Sequence, residues 1–227
     1  MDTIKIVTFN LHHGKENDVK YSKEKLLDDI SSLNGDIICL QEVDKYSIRT
    51  KFNNQAKLIA NHLGYFVHSS FVRFFGLGFQ YNIILSKFPI EVIKEIVLPN
   101  IKGKQRRLAT KVKITTDNGP LVLINTHLTS GDIVSGNSIA QTQLKFLLEN
   151  NSEDIFIIGD LNMLALQVLP NIEKFGFKTL SEYKTSPANN PKNQIDWILT
   201  RGYKLNSMRT SEKLCSDHRA LIAIINL

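Results

Sequence analysis

The chain has 227 residues, 42% hydrophobic and 22% charged, an ordinary globular composition with length enough to bury a core without staples. Lys plus Arg exceeds Asp plus Glu by 28 − 22 = 6, a mild basic excess that favours anionic partners but lacks the dense basic run of a non-specific nucleic-acid binder. Two cysteines exclude a disulfide framework, no apolar run approaches the ~18 residues of a membrane span, and MDTIKIVTFN lacks a secretory signal pattern. The expectation is a soluble cytoplasmic monomer, one domain over residues 1–227.

IKIVTFN (4–10) reads as the first strand. Leu26, Ile30 and Leu33 follow at helical spacing, with Ser22 as N-cap. DIICLQE (36–42) is a strand apolar at both parities, with Cys39 as a small buried residue. Ala56, Ile59, Ala60 and Leu63 make a second helical stripe, opened by Asn53 or Asn54 and closed by Gly64. FVRFFGLGFQY (71–81) clusters Phe71, Phe74, Phe75, Phe79 and Tyr81. Clustered Phe favours a buried strand, and Gly76 and Gly78 mark a looped tip. Exposed, the same segment would stack on bases or touch lipid.

YNIILS (81–86), EVIKEIVL (91–98) and RLATKVKI (107–114) read as strands, and TTDNGP turns the chain into LVLINTH (121–127). Ala140, Leu144, Leu147 and Leu148 form a third stripe before the strand DIFIIGD (154–160). Residues 164–174 suit a short helix limited by Pro170. QIDWILT (194–200), KLNSMRT (204–210) and ALIAIINL (220–227) complete the strands. Strands outnumber helices too far for strict alternation, hairpins imply antiparallel neighbours, and doubly apolar runs need cover on both faces. The fold class is α/β: a four-layer sandwich of two packed, mainly antiparallel sheets with helices outside and strand ends meeting at one rim.

Polar groups recur at those strand ends: Asn10, Glu42, His127, then Asp160 with Asn162, while Asp196 sits inside an apolar strand and Asp217–His218 precede the last one. Singly each has an ordinary explanation, such as a turn cap, a surface acid or a satisfied core histidine. Together the types fit one chemistry. Oxygen donors without a thiolate cluster suit Mg²⁺ or Mn²⁺, held by Glu42 and Asp217 with Asn10 as a neutral ligand or orienting group. Asp160 can hold and deprotonate a water, and a His218–Asp196 pair can present a positive donor to a phosphate oxygen. The set describes metal-assisted hydrolysis of a phosphate ester. Cys215, two residues from Asp217, is read as structural.

TFNLHHG, ICLQEVD, YNIILSKFP, RRLAT, INTHL, IIGDLNM, SPANNPKNQIDWIL and SDHRAL, in that order along nearly the whole chain, resemble the endonuclease/exonuclease/phosphatase family, whose fold is that of pancreatic deoxyribonuclease. The resemblance implies Glu42 as principal metal ligand with Asn10 and Asp217 close by. Asp160, assisted by Asn162, would activate the attacking water, and His218, paired with Asp196, would meet the scissile phosphate. His127 would stabilise developing charge or protonate the leaving oxygen. Asn82 and Arg107 would bind phosphate, with Arg106 as the alternative arginine. Tyr81 stands where the family commonly has glycine, which places a large ring near the substrate. Ser138 stands where many relatives have arginine, which removes a phosphate contact or salt bridge.

The family covers nucleases, inositol-phosphate phosphatases, sphingomyelinases and other phosphodiesterases, so the fold does not name the substrate. The expected activity is a metal-dependent phosphodiesterase, with nucleic acid ahead of a small phosphoester or lipid head group. The alternative is a catalytically silent phosphate-binding module, against which stands the retention of every expected acid and histidine.

Overall fold

A computed structural model describes residues 3–15, 20–101, 103–131 and 137–226; Leu227 of the last expected strand lies outside them. The strands are β1 (Thr3–Asn10), β2 (Ile37–Lys45), β3 (Phe66–Phe75), β4 (Gly78–Ser86), β5 (Ile90–Val97), β6 (Leu108–Thr116), β7 (Gly119–His127), β8 (Ile155–Asp160), β9 (Asp196–Arg201), β10 (Lys204–Thr210) and β11 (Leu221–Asn226). They form a six-stranded sheet, β10-β11-β1-β2-β4-β3, and a five-stranded sheet, β5-β6-β7-β8-β9. Neighbours are antiparallel except β1–β2 and β7–β8. A parallel pair needs a crossover, which α1 (Lys23–Leu33) and α3 (Ser138–Glu149) provide.

Side-chain alternation builds the layers. Val7, Phe9, Ile38, Leu40, Ile83 and Leu85 point outward and pack under α1 and α2 (Gln55–Leu63). Ile124, Ile155, Ile157, Trp197 and Leu199 point outward from the second sheet under α3 and α4 (Ala165–Glu173). The opposite parities, including Ile6, Cys39, Ile84, Val112, Leu123, Phe156 and Ile198, fill the space between the sheets. The four-layer sandwich follows.

Local signals act where the residues stand. Ser22 Oγ accepts the Lys25 N–H at 3.2 Å, and Asn54, rather than Asn53, accepts that of Lys57 at 3.2 Å. Gly64 ends α2 in the left-handed region, and α4 carries Pro170 and stops three residues later. The hairpin between β6 and β7 turns at Asp117–Asn118, with Thr116 opposite Gly119. Among the described residues no helix is long and apolar enough to cross a membrane.

The 71–81 segment departs from its expected burial. It is a hairpin, β3 turning through Gly76 and Leu77 into β4, and its tip residues Phe74 and Leu77 are 72% and 74% exposed. β3 is the edge strand of its sheet, so the tip extends past the layers that would have covered it.

Candidate active site

Parity predicts which polar residues face inward at the rim. Asn10 continues the inward series Ile4, Ile6; His127 continues Leu121, Leu123; Asp160 continues Phe156, Ile158; Asn82 and Asp196 share the parity of Ile84 and Ile198. The carboxyl ends of the parallel pairs therefore deliver Asn10, His127 and Asp160 to the same edge. Glu42 breaks the rule, because it has the outward parity of Ile38 and Leu40. A bulge between Leu40 and Val43, with Glu42 itself left-handed at φ 56°, turns its side chain inward. Asparagine 82 lies on β4 opposite this bulge.

Asp160 is the hub. Its Oδ2 accepts from Asn10 Nδ2 at 3.0 Å and lies 3.5 Å from His127 Nε2 and 3.9 Å from His218 Nε2. Its Oδ1 accepts the Asn162 N–H at 2.9 Å, and Asn162, left-handed at φ 51°, sends Nδ2 to the Leu128 carbonyl at 3.2 Å. The approach needs Gly159, since a Cβ there would sit 1.8 Å from the Thr126 carbonyl oxygen. His218 Nδ1 lies 2.8 Å from Asp196 Oδ2. Ser216 Oγ orients the SDH turn by donating to the Asn10 carbonyl at 2.7 Å and accepting the His218 N–H at 3.0 Å.

Glu42 Oε1 accepts from Asn10 Nδ2 at 3.4 Å, and Oε2 from Gln80 Nε2 at 3.3 Å. His13 Nε2 lies 3.2 Å from Oε2. His13 Nδ1 lies 2.8 Å from Arg49 Nη2 and 3.3 Å from Asp44 Oδ1, so the imidazole bridges the Arg49–Asp44 pair to Glu42. Asp217 stands further out. Its Oδ1 faces His12 Nδ1 at 3.4 Å, and the His12 N–H donates to Asn10 Oδ1 at 3.1 Å, so Asp217 meets the Asn10–Glu42 pair through His12. His13, Gln80, Arg73, Asp44 and Ser216 escaped sequence reasoning. HHG was a legible signal for His13, but nothing local marks Gln80, which reaches Glu42 from the neighbouring strand β4.

Burial sets the charge states. Asp160 is raised to about 7 by burial and the nearby Asp196 carboxylate, against the opposing pull of His218 and Asn10. His218 is raised to about 10: burial opposes its charge, but Asp196 and then Asp160 outweigh burial. Asp196 Oδ1 is buried without a hydrogen-bond partner, so compensation of that carboxylate falls to the imidazolium. His127 is held well below its ordinary value by burial and by Arg107 and His218, although Asp160 lies 3.5 Å away. Burial thus favours its uncharged form. Arg107 is pulled down to about 10 by burial, opposed by the Asp160 and Glu42 charges, and its buried Nε has no partner. Arg106 is exposed, so Arg107 is the arginine at the rim.

Two groupings have the donors for a cation. Asp160, Asp196 and His218 present ligand atoms within 4.8 Å of one another. His218 spends Nδ1 on Asp196 at 2.8 Å, so within this trio its Nε2 alone faces Asp160. Glu42, Asn10 and Asp217 offer hard oxygens, with the Glu42 and Asp217 side chains 20% and 35% accessible, and Asn10 Oδ1 keeps a free lone pair. Hard oxygens of this kind suit Mg²⁺ or Mn²⁺, with Glu42 and Asn10 in contact and Asp217 set beyond His12.

Two expected departures resolve differently. Tyr81 shares the outward parity of Ile83 and Leu85 and packs beside the outer core, on Phe71 at 5.8 Å, so its ring points away from the site. Ser138 opens α3 as an exposed residue. Cys215 is buried, its thiol pushed up by burial and Asp29, with its N–H bonded to Asp29 Oδ2 at 2.7 Å; both facts fit a structural residue.

The model of the endonuclease/exonuclease/phosphatase family matches residues 7–218. Among solved structures, an endonuclease/exonuclease/phosphatase from Beutenbergia cavernae aligns with TM-score 0.80 at 17% identity, over 99% of this chain and 72% of that one. A family protein from Leptotrichia buccalis aligns with TM-score 0.75 at 18% identity, over 99% and 100%. A humanized D. rerio TDP2 aligns with TM-score 0.75 at 16% identity, over 99% of both chains. No curated protein matches the sequence.

Proposed function

Because the chain belongs to the endonuclease/exonuclease/phosphatase family, a family of phosphoester hydrolases, we propose that it is a metal-dependent phosphodiesterase working at the strand-exit rim. The observation that carries the reading is the convergence on Asp160: a carboxylate raised to about 7, between the imidazolium of His218, the neutral His127 and the amide of Asn10. A base poised near neutrality accepts a proton from water most effectively at neutral pH.

Asp160 takes the proton of the attacking water while the Asn162 N–H fixes its other oxygen. The water oxygen bonds to phosphorus as the bond to the leaving oxygen breaks, and that oxygen departs with the bonding pair and takes its proton from solvent. His218, held charged by Asp196, donates to a phosphoryl oxygen as negative charge grows there. His127, neutral, contributes a hydrogen bond; of its two expected roles, charge stabilisation suits this state and proton delivery does not. Arg107, with its unpartnered Nε, and Asn82 bind the phosphate. Glu42, Asn10 and Asp217 would hold Mg²⁺ or Mn²⁺, which would supply Lewis acidity.

The test is a turnover screen with each metal against plasmid DNA, abasic DNA, RNA, inositol phosphates, phospholipid vesicles and a bis-aryl phosphodiester. Metal-dependent hydrolysis of a diester, lost on adding a chelator, is expected. Absence of turnover on every diester alongside intact metal binding would move the protein to the silent phosphate-binding class.

A further inference from the structure

The β3–β4 hairpin and the segment 46–52 expose apolar side chains side by side. Phe74 and Leu77 crown the hairpin, and Ile48 and Phe52, each 58% exposed, rise from the other segment. Gly78 joins the two: a Cβ there would lie 2.6 Å from Ser47 Cα, so the hairpin base rests on the 46–52 backbone. Ring contacts continue the surface. Lys45 Nζ lies over both Tyr46 and Tyr81, Tyr81 packs on Phe71 at 5.8 Å, and Phe71 on Phe74 at 5.1 Å. On the inward side Phe75 stacks on His13 at 6.3 Å, and His13 faces Glu42. Folding alone gives no reason to leave so many large apolar groups together in water.

The charge along the two segments is positive, with Glu24 near Lys51 and Glu42 and Asp44 near Arg73 as the facing acids. Residues 45–52 carry Lys45, Arg49 and Lys51 with no acid, and residues 71–81 carry Arg73 with no acid. Asp44 pairs with Arg49 alone among them. We infer that this patch docks the protein on an anionic lipid–water interface and brings a phosphodiester head group to the neighbouring rim. The inference deepens the phosphodiesterase reading and rests on it for the bond that is cleaved, though not for the docking.

Nucleic acid fits the patch less well. Leu77 and Ile48 have no ring to stack on a base, and Phe74 packs against Phe71 and Phe79. Arg49 and Arg73 are engaged by Asp44, by Gln80 and by the Phe75 ring rather than spread along a phosphate track. A second copy fits poorly too, since a two-fold contact would press like charges together. Apolar tips beside Lys45 and Lys51 match the acyl boundary and anionic head groups.

Co-sedimentation with vesicles of equal parts phosphatidylcholine and phosphatidylglycerol tests docking. Wild type partitions onto them and more weakly onto phosphatidylcholine alone. Phe74→Asp, Leu77→Asp and, on the separate segment, Ile48→Asp each lower partitioning roughly tenfold, as removal of one buried apolar side chain from the interface requires. All three sites are solvent-exposed, so the variants melt with wild type and hydrolyse a soluble bis-aryl phosphodiester unchanged. Asp160→Asn still partitions, which separates failure of the docking surface from failure of the chemistry. Wild type that ignores anionic vesicles overturns the inference. So do aspartate variants that bind vesicles as wild type does, variants that instead lose affinity for a single-stranded oligonucleotide, or a wild-type dimer that the variants dissociate.

Discussion

The two halves of the rim hold similar groups in opposite environments. Asp160, Asp196, His127 and His218 are buried, and burial with mutual charge moves three of them far from their ordinary proton affinities. Glu42 and Asp217 stay partly open, beside His13 and His12. The lesson is a division of labour set by solvent. Desolvation can tune a base and hold an imidazolium, but it would make a cation slow to enter and leave. Reachable oxygens can admit a hydrated ion but cannot shift a proton affinity far.

The largest break in this comparison is Asp160→Asn. Turnover is expected to fall by roughly two to four orders of magnitude with little change in substrate affinity. Melting should not drop, since the swap is nearly isosteric and removes a charge that burial and Asp196 disfavour. Steady-state kinetics on the substrate found by the screen decide the matter, and an active variant would return Asp160 to a turn-former bonded to the Asn162 N–H.

His218→Asn and Asp196→Asn should each lower kcat by roughly two to three orders of magnitude, with the double variant little worse than the poorer single. The 2.8 Å pair acts as one unit. Additive losses in log kcat would show two independent groups.

On the open side, Glu42→Gln should weaken Mn²⁺ binding, measured by calorimetry, by more than the roughly 10–100-fold expected for losing an outer partner of a ligand. Asp160→Asn should bind Mn²⁺ nearly as wild type does. Equal affinity in wild type and Glu42→Gln would remove Glu42 from the cation site.

The smallest effect is on stability against pH in chelator-treated protein. The folded pKa of His218 is raised to about 10 from the ordinary 6.5. Between those values the native state holds a proton the unfolded chain has released, so stability present below about 6.5 declines as pH rises through about 10. Asp160, raised to about 7 from 3.8, adds a decline of the same sign between about 4 and 7. Thermal melts of His218→Asn should lose the upper, histidine slope, while the Asp160 decline remains and reaches higher pH, because the pull of His218 on that carboxylate is gone. An unchanged upper slope would show that the imidazolium is not stabilised by folding.

Much of this was written in local pattern. Apolar β-type runs marked ten of the eleven strands, Ser22 and Asn54 marked the starts of α1 and α2, and the inward parity of Asn10, His127, Asp160 and Asp196 follows from counting along apolar strands. Those features depend on neighbours in the chain, which a sequence displays. Tertiary structure decided the rest. Glu42 has the wrong parity, and only the bulge against β4 turns it inward. Tyr81 was expected at the substrate, and the pleat of β4 points it away. Phe74 and Leu77 are apolar enough for a core, yet β3 is an edge strand with nothing beyond it. The proton affinities of Asp160 and His218 come from groups 36 and 22 residues away, meeting where two sheets close out water. Burial and charge act through space, so their strength at each residue was settled only when the layers packed.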